Sequence, residues 1–127
     1  MRKNAREASL KLIFESFFND GNSILEICEE CEVKSENDLA FVHNVYNSYK
    51  TNKEEIDMLI YSLGQQSKTA TLFSVDRAIV CMAIAEHKLG EVPKAVIINE
   101  CVELAKKFST EKSFAFVNGI LSKAIEE

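Results

Sequence analysis

Four cysteines, two histidines and a short run of basic residues are the side chains in this 127-residue chain whose types could do chemistry. Cys28 and Cys31 form a C-x-x-C pair, a spacing used by zinc ligands and by thiol–disulfide centres. A closed zinc site needs four ligands, and no second C-x-x-C or spaced histidine pair is present to complete one. A thioredoxin-type pair needs a βαβ setting, which the flanking sequence does not offer. Both cysteines instead continue a helical stripe with Ile24 and Ile27, where a buried thiol behaves as a small hydrophobe. His43 and His87 are far apart, no serine or cysteine sits in a nucleophile setting, and no glycine-rich loop could cradle a phosphate. The pattern argues against catalysis, a metal or a cofactor.

The basic residues gather at the N-terminus. Residues 1–11 carry Arg2, Lys3, Arg6 and Lys11 against Glu7 alone, which leaves eleven basic against nineteen acidic residues in the rest of a chain with formal charge −5. A local basic arm on an acidic body can still hold RNA, because phosphate contacts act within a Debye length of about 8 Å at physiological salt. The competing reading is a set of ordinary solvated charges at a helix start, since so few basic residues make a poor arginine-rich motif.

The elements that must carry these residues are helices. One proline and four glycines in a chain that is 46% hydrophobic and 28% charged leave long, sparsely punctuated segments. The segment Ser74 to Leu89 is the organising one: Ala78 to Ala85 are apolar without a break, so this helix has no polar face and must be buried. Ser74 is placed to cap it, Asp76 lies in its first turn where the helix dipole favours a carboxylate, and Gly90 stops it. Upstream, a helix from Asn4, capped by Asn4 with Glu7, carries Leu10, Ile13, Phe14, Phe17 and Phe18 and ends at Asp20-Gly21. A short helix follows Ser23, a third follows Ser35, and a fourth opens after the polar run Lys50 to Glu55 and closes at Gly64. Gln65 to Thr71 is a polar connection. Downstream, Pro93 starts a helix with the stripe Ile97, Cys101, Leu104 and Phe108 and with Glu103 and Lys107 paired on its other side; Thr110 caps a last helix carrying Phe114, Val117 and Leu121. The expectation is an all-α protein of about seven helices. No apolar run approaches the roughly 18 residues of a membrane span and no secretory leader is visible, so a cytoplasmic location without membrane contact is expected.

The stretches V-D-R-A-I-V-C-M-A-I-A-E (Val75 to Glu86), V-P-K-A-V-I-I-N-E-C-V-E-L-A-K-K-F (Val92 to Phe108) and F-V-N-G-I-L (Phe116 to Leu121), with A-R-E-A (Ala5 to Ala8), resemble the NusB family of transcription antitermination factors. The resemblance spans nearly the whole chain. It implies two small helical bundles packed together in one NusB-type domain, here 1–51 and 52–127. It also implies a non-catalytic factor that pairs with NusE, a small-subunit ribosomal protein. The pair would bind single-stranded boxA RNA of ribosomal RNA leaders within the RNA polymerase antitermination complex. The alternative is a helical protein-interaction module of the same type without RNA binding of its own. The stripes leave a monomer and a homodimer equally open.

Carried over position by position, the resemblance implies RNA contacts from Arg2, Lys3, Arg6 and Lys11, and from Lys112, Ser113 and Phe116 beside the F-V-N-G motif. It places Phe14 and Asp76 towards the partner. Phe14 also lies in its helix's apolar stripe, where core packing accounts for it, whereas Phe116 lies off the stripe of its helix. Glu86 reads as structural. Gly119, costing about 1 kcal/mol against alanine inside a helix, suggests a close approach by another helix. Cys81 and Ala85 stand where many members have arginine and an aromatic, so the partner surface should differ in detail.

Overall fold

A computed structural model describes residues 2–19, 21–66, 74–110 and 112–125. Seven helices make up the regular structure of these residues: α1 (Lys3–Ser16), α2 (Ile24–Glu30), α3 (Glu36–Thr51), α4 (Lys53–Gln66), α5 (Ser74–Leu89), α6 (Lys94–Phe108) and α7 (Ser113–Ala124). No strand occurs among the described residues.

The apolar segment behaves as its composition dictates. Every residue of α5 from Ala78 to Glu86 is buried, because α1 and α3 pack on it from one side of the chain order and α6 and α7 from the other, with α4 touching it as well. Ser48 fixes α3 against it by donating from Oγ to the Ala85 carbonyl at 2.8 Å. The remaining core is supplied by single stripes: Leu12 and Ile13 of α1, Val42, Val45 and Tyr49 of α3, Ile56 and Ile60 of α4, Ile97 and Cys101 of α6, Val117 and Leu121 of α7. Burial of such stripes, at roughly 25 cal/mol per Å² of apolar surface, is what holds short helices that would be marginal alone.

Helix ends follow local chemistry. Ser23 and Ser35 cap α2 and α3, accepting from the backbone N–H of Glu26 and Asp38 respectively. Asn52 alone separates α3 from α4 within the polar run, its amide donating to the Ser48 carbonyl. Gly90 takes φ +71°, the left-handed conformation that ends α5. Other expected helix ends shift, Thr110 among them, since the N-cap of α7 is Lys112 with no side-chain cap. Asn4 is inside α1, which begins one residue earlier at Lys3, with Arg2 as N-cap and no side-chain cap. The helix α4 runs through Gly64 to Gln66. Pro93 is the N-cap of α6 with ψ 146° and not its first helical residue. Ser74 is the first helical residue of α5. Asp20 and the connection over residues 67–71 lie outside the described residues.

Candidate nucleic-acid and partner interface

The basic residues of the N-terminal arm run from Arg2 to Lys11, about two and a half turns of helix, and their side chains leave the axis in different directions. Lys3 is exposed. Arg2 is partly buried and lays its guanidinium 4.7 Å from the centre of the Phe41 ring, a cation–π contact that holds the arm against α3. Arg6 points inward. Its Nε and Nη2 donate to the two carboxylate oxygens of Glu86 at 3.1 and 2.7 Å, with both side chains almost wholly buried. Burial alone would lower the Arg6 pKa, but the hydrogen bonds and charge of Glu86 outweigh it and the net shift is upward, so the guanidinium stays charged. The expectation that Arg6 grips RNA is thereby corrected: its charge is consumed by Glu86, the structural residue anticipated at the end of the apolar run. Lys11 is exposed and paired with Glu30, whose hydrogen bond raises its pKa.

At the other end of the chain Lys112 is exposed at the N-cap of α7 and Phe116 is partly buried, while Ser113 is only 5% exposed. The Ser113 hydroxyl lies 2.8 Å from that of Thr110, which closes the turn entering α7. Ser113 is therefore corrected from an RNA ligand to a buried turn residue. Gly119 also changes meaning: among the described residues a Cβ there would meet nothing within 4 Å, so none of the seven helices approaches it closely.

The two residues assigned to a partner surface sit differently. Phe14 is partly buried, meets Phe18 edge-on at 5.2 Å between ring centres, and lines an apolar cavity of about 330 Å³ with Leu10, Cys31, Val75 and Phe108. Asp76 is 1% exposed, and its Oδ1 has no hydrogen-bond partner among the described residues. Its position in the first turn of α5 supplies the favourable dipole interaction expected of it.

Sequence reasoning missed the basic end of α6. Lys107 pairs with Glu7 of α1 and not with Glu103, which takes Lys106 at 3.6 Å instead. Lys3, Arg6 and Lys107 thus line one cleft of about 220 Å³ between α1 and α6. The K-K-F run was visible, but the i, i+4 partner within the helix hid its tertiary one. The cysteines are free thiols; burial pushes the Cys28 and Cys31 thiols up. Among the described residues no group of three His, Cys, Asp or Glu is arranged to hold a metal ion.

An all-helical protein built around one buried rod, with basic side chains at the start of α1 and an apolar cavity beside them, is the class that fold and surface define. The chain belongs to the NusB family, whose description matches residues 3–126. It is 37% identical to the transcription antitermination protein NusB of Natranaerobius thermophilus, over 99% of this chain and 95% of that one. It is 35% identical to the protein of the same name from Clostridium botulinum strain Loch Maree, over 98% and 99%. Among solved structures it superimposes on T. maritima NusB with TM-score 0.82 at 30% identity, covering 98% of this chain and 89% of the other. A structure of the antitermination factors NusB and NusE in complex with double-stranded RNA matches with TM-score 0.85 at 25% identity, over 97% and 94%.

Proposed function

We propose that this protein is a non-catalytic transcription antitermination factor that binds boxA RNA of ribosomal RNA leaders together with the ribosomal protein NusE, in the cytoplasm. The observation that carries this reading is the full-length likeness to a NusB solved with NusE and RNA. On this reading the candidate residues divide the work. Arg2, Lys3 and Lys112 supply phosphate contacts, Lys11 joins them by exchanging Glu30 for RNA, and Phe116 stands near a base. Phe14 and the apolar cavity beside it face NusE, whereas the buried Asp76, expected on that surface, serves the start of α5 instead.

With Arg6 committed to Glu86, the free basic charge of the arm is small, and RNA affinity should depend on the partner. Fluorescence anisotropy of labelled single-stranded boxA RNA, titrated with the protein alone and with NusE at two salt concentrations, tests this. Tighter binding with NusE, and a log–log salt slope of about −0.7 per phosphate contact, is the expected result. Replacing Arg2 and Lys3 by alanine should flatten that slope by about 1.4. A NusE complex that forms while RNA is ignored under every condition would leave a protein-interaction module and reject the RNA-binding reading.

A further inference from the structure

We propose that the cleft between the start of α1 and the end of α6 is a phosphodiester site, with Lys3 and Lys107 as its ligands and Glu7 as an internal stand-in for the phosphate. This rests on the RNA-binding reading and names a ligand that reading does not contain. The Lys107 side chain is 59% exposed, yet it reaches from the last turn of α6 to the Glu7 carboxylate on α1. Lys3, one turn before Glu7, lines the same cleft. On the cleft wall Arg6 has two of its N–H groups taken by Glu86.

The acidic residues facing the cleft are Glu7, Glu100 and Glu103, and Glu103 already pairs with Lys106. With Arg6 taken by Glu86 and Glu103 by Lys106, Glu7 and Glu100 face Lys3 and Lys107, and the cleft is neutral at rest. A phosphate enters it only by taking Lys107 from Glu7. The Lys107 end of the pair lies in solvent, where ion pairs are weak and exchange readily, so this displacement has little to overcome. Phe108 stands next to the site, 45% exposed and 5.1 Å from the Lys107 ammonium. A cation for the backbone beside a ring for a base is the pairing that single-stranded RNA uses.

The site is tested with the labelled RNA and NusE in a double-mutant cycle of Lys107→Ala, Glu7→Gln and the two combined, each checked by thermal melting. Lys107→Ala should weaken binding several-fold and reduce the salt slope by about 0.7. Glu7→Gln should tighten binding several-fold, and the gain should vanish when Lys107 is also alanine. A Glu7→Gln gain that persists without Lys107 would mean plain repulsion between Glu7 and RNA, and it overturns the proposal. Unaltered binding by Lys107→Ala overturns it too, while wild-type binding in the same assay keeps the RNA-binding reading intact. Failure of the wild type to bind rejects both.

Discussion

Arg6 and Glu86 meet across 80 positions of sequence, and the meeting decides what each is for. A basic residue in a basic arm looks the same in sequence whether it faces solvent or turns into the core, so nothing local distinguished Arg6 from Lys3. Both carboxylate oxygens of Glu86 are occupied, and removing one partner strands a buried charge. Glu86→Ala should cost about 3–5 kcal/mol in urea denaturation, whereas replacing both residues by methionine should recover most of that loss. The buried acids of the core set an alkaline limit. Burial pushes the Cys81 thiol from its ordinary value near 9.0 up to about 12, and the Tyr49 phenol from 10.0 to about 12. Between those values the unfolded chain loses protons that the folded chain keeps. The stability these groups contribute is therefore complete below about pH 9 and falls as pH rises towards 12. Denaturation midpoints measured from pH 8 upward should drop, and Cys81→Val should make the drop shallower. A midpoint that rises over this range would contradict the burial of both groups.

The helices were legible because each carries a stripe at helical spacing or, in α5, no polar face at all. The caps at Ser23 and Ser35 were equally plain, since a short polar acceptor before an apolar run has one local use. Ser35→Ala should lower stability by about 1 kcal/mol. Glycine was the less dependable marker. Gly90 ends α5 at positive φ as expected, whereas α4 continues through Gly64 because glycine permits a turn without enforcing one. Gly119 has helical neighbours and open space around it, so a methyl group there should only restrict the unfolded chain. Gly119→Ala is expected to raise stability by about 0.4–1 kcal/mol, seen as a melting temperature a few degrees higher. A lower melting temperature would show that the added methyl group is not accommodated, against the open space seen at this position. What the stripes could not convey is which partner each helix end meets; the Lys107 to Glu7 pair belongs to that class.

At the scale of the molecule, the family likeness was carried by runs whose spacing survives over most of the chain, and the fold agrees with it. The surface was harder to read. Leu25, Met58 and Tyr61 are each about 70% exposed, yet they lie on helices whose other faces build the core, and Phe18, equally exposed, has left α1 behind. Periodicity alone does not separate such residues from core positions. The organising helix has a consequence for motion. Since α1, α3, α4, α6 and α7 all lean on α5, no subset of them can open its contacts with the rod and leave the rest undisturbed. Amide protons from Ala78 to Glu86 should then reach solvent only when the whole chain unfolds. Their deuterium uptake, followed by NMR, would report a free energy equal to that of global unfolding, while the ends of α2 and α7 trade protons far sooner.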